Sequence, residues 1–580
     1  MEVDAHVVSA LRRAVRDCTD RGLYFASKWA SELLLAIPTS KRSSQDSAGH
    51  SNLRESYLED QDSDALLAAR AFADAKEFSR AALVLKECKG AKAQFVRVYN
   101  EFLAAEKKAL RDWHNLDFRP IEITNETDKN PHQPATPINH SLLEILSSLQ
   151  NATDPWLLFM KALLLKRTSR RDEAIEALML SISAYPWNWS AWRLLGSCVG
   201  DSDELASLLT LISLPPTHPL VHCFQIKTLN DLQQPQENEL ALCDNLLGPD
   251  MFPHSTWIMS LRACVLYHLH DFSKAEAQFD QIVALDPYRM DDIDIFSDIL
   301  YVAENRTKLS KLAHHFLAID KDRPEVCCLV GNHYSLRADQ EKAIAYFRRA
   351  TELDMSYLPA WTLMGHEYVE MKNSHAAIEA YRRAIDVNRK DYRAWYGLGQ
   401  AYELLNMHQY SLHYYQRATA LRPYDVRVWQ AQGMCYEEMG SRPREAIECY
   451  KRALIGADPR ETPINLKLAK LHDDVEEYAE AASYHQRVVE VSRAEGKQVH
   501  VYSRSCIYVA QFHMEKGGKD LTLAKEYLER VATSNAEEVT QAAELLKRLK
   551  SISEGRGIPS PREPPTQARS EGNEPIVVEG

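Results

Sequence analysis

Glycine is scarce in this chain, 20 residues in 580, and Val and Ile are modest in number. That combination argues against a sheet-rich fold and makes helix the expectation. Concentrated blocks of Lys and Arg are missing: 69 basic residues face 82 acidic ones for a formal charge of −13. The footprint of a nucleic-acid binder is therefore absent, and basic protein segments are the better partners. No basic-then-apolar signal opens the chain at "MEVDAHVVSA", and the greasiest stretches, such as "WLLFMKALLLK", are interrupted and too short to span a bilayer. The expectation is an intracellular protein without membrane contact. The 11 cysteines form no C-x-x-C pair; their odd number reads as reduced, mostly buried thiols. The sequon at Asn125, Glu126 and Thr127 then carries no meaning.

A chain of 580 residues is too long for one compact core, so it forms several domains or an extended array. Self-similarity decides between them. "AWTLMGHEY" at 360–368 returns as "AWYGLGQAY" at 394–402, and Gly331, Gly365, Gly399 and Gly433 are spaced by 34. Tyr334, Tyr368, Tyr402 and Tyr436 keep step, and further on come Ala343, Ala377 and Ser411, then Phe347, Tyr381 and Tyr415. Each repeat splits into two stretches with helical apolar spacing, for example Trp361, Met364, Gly365 and Tyr368, then Ala377, Ile378, Tyr381 and Ala384. A glycine recurring mid-helix costs up to ~1 kcal/mol against alanine, so it marks a close approach of two helices. Period and residue types together are the tetratricopeptide pattern. The predicted fold is all-α: antiparallel helix hairpins stacked into a right-handed superhelix.

The chain divides on this reading into an N-terminal helical segment 1–115 with a loop near 38–62, a polar linker 116–141, degenerate repeats over 142–255, a C-terminal array 256–553 and a disordered tail 554–580. The tail is rich in proline and charge and poor in apolar residues, so it cannot offset its ordering entropy; Ser560 before Pro561 is a possible phosphosite or simply a tail serine.

Stacked hairpins leave an inner groove lined by the first helix of each repeat, a shape that binds and rarely catalyses. The helical periodicity turns Asp291, Asp294 and Asp298 toward it, then Glu325, Cys328, Asn332 and Ser335, then Pro359, Thr362 and His366. Arg393, Tyr396, Gln400 and Glu403 follow, then Arg427, Gln430, Met434 and Glu437. The groove starts acidic and becomes mixed, which suits an Arg/Lys-bearing peptide; the plain alternative is a solvated face. Other sites fail. Cys327 and Cys328 are adjacent with no partner at zinc spacing, "GLG" at 397–399 lacks a third glycine, and Trp187, Trp189 and Trp192 read as hairpin packing. No catalytic residue, metal site or cofactor is identified.

The words "DPYRMDDIDIFSDILYV", "VCCLVGNHYSLRADQEKAIAYFRRA" and "YLPAWTLMGHEYVEMKNSHAAIEAYRRAI" resemble the subunit-eight, cell-division-cycle-twenty-three family of the anaphase-promoting complex. The likeness is dense over 285–430 and thinner elsewhere. It implies a non-catalytic scaffold of a ubiquitin ligase that marks cyclins and anaphase inhibitors, working in nucleus and cytoplasm. The implied partners are a second copy of the chain through the N-terminal repeats, sibling tetratricopeptide subunits, a large platform subunit, and a coactivator whose arginine-bearing C-box enters the groove. On matching positions Asn332 and Glu367 are assigned to the peptide's arginine, although Glu367 sits one place beyond the groove pattern and its carboxylate has the alternative of pairing within the array. Asp298, Tyr396 and Gln400 follow from the face argument alone. Tyr334 and Tyr368 have two readings, flanking the peptide or packing in the core. Rivals are a co-chaperone module gripping an acidic tail, which needs a cationic groove, and a repeat-bearing enzyme such as a glycosyltransferase, which needs a catalytic domain.

Overall fold

The computed structural model describes residues 5–42, 58–59, 61–117, 137–440, 442–458, 460–515, 520–534 and 537–553. Among them there is helix and no strand. The chain forms two compact units, Met1–Gly397 and Leu398–Gly580. The tail expected after residue 553 and most of the polar linker lie outside the described residues. The loop expected near 38–62 opens instead as the short helix Thr39–Arg42, whose turn closes on the Pro38 carbonyl from Lys41 N at 3.0 Å. The linker expected from residue 116 starts later, because the helix Ala91–Asp117 runs through that position.

The hairpins that carry the periodic glycines are built around a ring seated on that glycine. A Cβ placed on Gly365 falls 2.6 Å from Tyr381 Cε1, and one on Gly399 falls 2.5 Å from Tyr415 Cε1. Gly331 meets the Phe347 ring in the same way. The close approach expected from the sequence is present, but the crowding atom is an aromatic side chain rather than the partner helix itself. Phe347, Tyr381 and Tyr415 are fully buried, so these rings have no room to yield. Ala343 and Ala377 supply the flat positions one turn earlier, and at the third such place the Ser411 hydroxyl donates to the Gly399 carbonyl at 2.8 Å.

Two further devices recur with the period. The turn between the helices of a hairpin passes through a left-handed residue: His270, Glu304, Ala338, Lys372, Asn406 and Gly440, each 34 after the last. Gly440, and to a lesser degree Asn406 and His270, are types that favour this region; Glu304, Ala338 and Lys372 are not. The next residue caps the second helix, with Asp271, Asn305 and Asn373 accepting from Lys274, Lys308 and Ala376 backbone N–H groups. Between repeats, the indole N–H groups of Trp361, Trp395 and Trp429 donate to the carbonyls of Met355, Arg389 and Pro423, six residues back. Trp192 does the same to Pro186 at 2.7 Å, which puts the degenerate stretch "WNWSAW" into the same construction.

In the first unit the N-terminal hairpin folds back on the array. Trp29, on the helix Tyr24–Ala36, stacks on Trp189 with centroids 4.4 Å apart and planes at 5°, and both meet Trp257 edge-on. Trp192 packs against Phe224 on the first helix of the next hairpin, and Trp189 belongs to this long-range cluster, a correction to the reading of both as packing within one hairpin. Among the described residues no helix is long and apolar enough to cross a membrane. All cysteines are free thiols, buried except for half-buried Cys88.

Two glycines separate two kinds of strain. Gly365→Ala drives a methyl into the Tyr381 ring and should destabilise by ~1–3 kcal/mol. Gly440→Ala meets nothing within 4 Å and carries only the left-handed penalty of ~1–2 kcal/mol. Urea melts should show that Gly440→Asn recovers most of its loss, whereas Gly365→Asn recovers none.

Candidate functional site

The groove of the first unit is floored by first helices that bring a chain of polar side chains onto one face. On Ile293–Val302 the three aspartates expected to act together are put to three different uses. Asp291, just before that helix, pairs with Lys28 of the N-terminal hairpin at 2.5 Å and with Arg289 at 3.6 Å. Arg289 in turn holds Glu32 at 3.0 Å. Burial pushes the Asp291 carboxyl up, but these cations prevail and hold it below its ordinary range. Asp294 accepts from the Tyr357 hydroxyl at 2.6 Å, and burial raises its pKa to about 6. Asp298 accepts from Asn332 Nδ2 at 2.7 Å; burial, then repulsion from Asp294, raise it to about 7 against the pull of Arg393.

Asn332 is only 3 % exposed and spends both amide hydrogens, the second on Ser297 Oγ at 2.8 Å. One turn on along the helix Pro324–Ser335, the Ser335 hydroxyl donates to Glu367 Oε1 at 2.6 Å. Glu367 is 5 % exposed, and its other oxygen, Oε2, has no hydrogen-bond partner among the described residues. Burial raises its pKa, partly offset by the Ser335 bond. The structure therefore makes two hydrogen-bonded pairs, Asn332 with Asp298 and Ser335 with Glu367, whose donors lie one turn apart on the same helix. Glu367 does pair within the array, by one oxygen.

The cation beside these carboxylates is held elsewhere. Arg393 pairs with the fully buried Asp391 at 3.2 Å; burial opposes its charge, and Asp391 raises its pKa overall. Burial, with Arg393 nearby, lowers His366 to about 4, so it is neutral, and it hydrogen-bonds the Tyr381 hydroxyl at 2.9 Å. Tyr396 is half-buried, one turn beyond Arg393. Gln400, also half-buried, falls in the second unit, where Glu403 accepts from Tyr415 at 2.5 Å and Glu437 pairs with Lys467 at 2.7 Å. Tyr334 stacks on Tyr346 of the second helix of its own hairpin, and Tyr368 accepts at 3.1 Å from Arg348 of the second helix of the preceding hairpin; both rings are half-buried.

Sequence reasoning missed Tyr357 and Tyr267. Tyr357 precedes its helix and lies outside the face pattern; the half-buried Tyr267 ionises less readily because loss of solvent and then Asp298 oppose its charge. Cys328 and Thr362 were assigned to the groove and are buried in packing instead, because the hairpins close more deeply than an isolated helical wheel implies. Among the described residues no group of three metal-ligating side chains converges.

Asp298, half-buried and poorly hydrated, sets a stability trend. Unfolded, Asp298 titrates near 3.8; folded, at about 7. Between these values the native state holds the extra proton, so this stability is full below the lower pKa and is lost as pH rises through the upper one. Asp298→Asn cannot ionise, and its melting temperature relative to the parent should climb by a few degrees from about pH 5 to about pH 8; differential scanning fluorimetry measures it.

Comparison with known proteins places these features. A family model described as "Anaphase promoting complex subunit 8 / Cdc23" matches residues 6–263, and tetratricopeptide-repeat models match 324–356 and 362–426. The chain is 38% identical to "Anaphase-promoting complex subunit 8" of Arabidopsis thaliana, over 94% of this chain and 96% of that protein. It is 33% identical to "Anaphase-promoting complex subunit CDC23" of Saccharomyces cerevisiae, over 93% and 97%. Among solved structures, "Crystal structure of APC/C hetero-tetramer Cut9-Hcn1" superposes with a TM-score of 0.51 at 17% identity, covering 93% of this chain and 95% of that one, which shows the shared tetratricopeptide fold. At 38% and 33% identity over nearly the whole length of two such relatives, the chain belongs to the anaphase-promoting complex subunit 8 / Cdc23 family.

Proposed function

We propose that the chain is a non-catalytic scaffold and coactivator-docking subunit of the anaphase-promoting complex ubiquitin ligase, acting in nucleus and cytoplasm. Its groove receives the arginine-bearing C-box of a coactivator and so supports ubiquitination of cyclins and anaphase inhibitors. It pairs with a second copy of itself and assembles with sibling tetratricopeptide subunits and the large platform subunit.

The observation that carries the docking reading is Glu367: a buried carboxylate whose Oε2 has no hydrogen-bond partner among the described residues. Such an oxygen costs desolvation energy unless a donor arrives, and a guanidinium supplies a charged one. Asn332, one turn from Ser335 on the same helix, holds Asp298, and Asp298 and Asp294 add negative charge once ionised. A ligand bearing an acidic tail would meet three carboxylates here and only the Arg393 charge already held by Asp391.

Fluorescence anisotropy with a labelled arginine-containing C-box peptide and the full chain tests this. Glu367→Gln and Asn332→Ala should each weaken binding about tenfold or more. Because a guanidinium favours the ionised form of Asp298, parent affinity should rise by up to about tenfold from pH 6 to pH 8, and Asp298→Asn should flatten that rise. Parent-like affinity in both Glu367→Gln and Asn332→Ala would refute the docking site. Sedimentation analysis checks self-association independently, and a monomer at micromolar concentration would remove it.

A further inference from the structure

A second recognition surface lies in the first unit, well away in sequence from the groove above. The helices Phe78–Val84, Ala91–Asp117 and Leu142–Ser148 enclose an open groove of about 1050 Å³. Its walls carry seven cationic side chains and three carboxylates, from Glu77, Glu101 and Glu144. This is a concentrated positive field on a chain whose formal charge is −13. Some of the cations are already engaged: Arg80 pairs with Glu77 at 2.5 Å, Arg97 with Glu101 at 3.9 Å and Arg111 with Asp112 at 3.2 Å. The side chains of Lys76, Lys86 and Lys108 have no anionic partner among the described residues, and all three are exposed.

Between the cations the lining is apolar and low. Phe78, Ala82, Leu83, Ala104, Ala105 and Ile145 form it, and Leu83 is 68 % exposed. Alanines across the bottom let another backbone approach closely, and an exposed leucine beside them offers an anchoring contact. A phosphate backbone gains from lysines but nothing from an apolar floor, whereas an amphipathic helix with an acidic outer face matches both features.

We propose that this groove docks an acidic amphipathic helix of a partner protein, with the apolar face of that helix on Ala82, Leu83, Ala104 and Ala105 and its carboxylates against Lys76, Lys86 and Lys108. The surface is independent of the C-box reading and stands or falls without it.

The test uses the full chain and a labelled helical peptide carrying leucine at i, i+3, i+4 and i+7 and glutamate at the remaining positions. Controls are a scrambled peptide of the same composition and a DNA duplex. The helix should bind saturably, and Lys86→Glu combined with Lys108→Glu should weaken it about tenfold or more, as should salt raised to about 1 M. Leu83→Asp should weaken it comparably; circular dichroism of each variant verifies that these exposed changes leave the fold intact. Equal affinity for the scrambled peptide or the duplex would overturn the proposal, as would unchanged binding in both variants. So would carboxyl-to-amine crosslinks joining Lys108 to Glu122, Glu126 or Asp128 of the same chain that persist at saturating peptide, because the chain's own connecting segment would then be the occupant.

Discussion

An aromatic ring seated where a glycine has no side chain is the contact on which this architecture rests. Phe347, Tyr381 and Tyr415 each fill the space above Gly331, Gly365 and Gly399, and close packing leaves them no alternative rotamer. The two helices of a hairpin are thereby held at one separation and one rotation. Since the next hairpin packs on the same ring, as the contact of Tyr381 with Gly397 illustrates, a local constraint becomes a rule for stacking. The left-handed turn residues and the tryptophan N–H bonds operate at the ends of the helices and only adjust what the rings have set.

That rigidity explains why the groove tolerates several ionisable groups withdrawn from water. Asp294, Asp298 and Glu367 stand with few compensating charges, and burial moves each toward its neutral form. A flexible surface would rotate them into water. Here each is held by a neighbour from another hairpin: Tyr357, Asn332 and Ser335 respectively. A site strained in this way is suited to a ligand that restores charge balance, since the cost of dehydrating the carboxylates has already been met by the fold.

The N-terminal hairpin performs a different task with similar chemistry. Lys28 and Glu32 reach Asp291 and Arg289, more than 250 residues away in sequence, and Trp29 completes a three-tryptophan cluster. The acidic start of the groove is thus internally neutralised, which confines the ionisable surface left for a ligand to the stretch from Asp294 to Glu367. The basic groove around Lys86 and Lys108 is of opposite sign, so the first unit presents two surfaces that select different partner chemistry.

The 34-residue period, the hairpin form and the all-helical class were readable from the chain because they depend on interactions between residues at most one period apart. Gly365 and Tyr381 lie 16 positions from each other, and a helical period places them without further knowledge. The face pattern also located Asn332 and Asp298, whose hydrogen bond joins neighbouring repeats 34 residues apart. It could not tell that Asp291 is occupied by Lys28, that Tyr357 reaches Asp294, or that Glu367 keeps one oxygen unpartnered. Those outcomes depend on how far successive hairpins rotate and on where the N-terminal helices return. Both are sums of many small packing displacements that no single repeat records, and for that reason only the tertiary structure decided them.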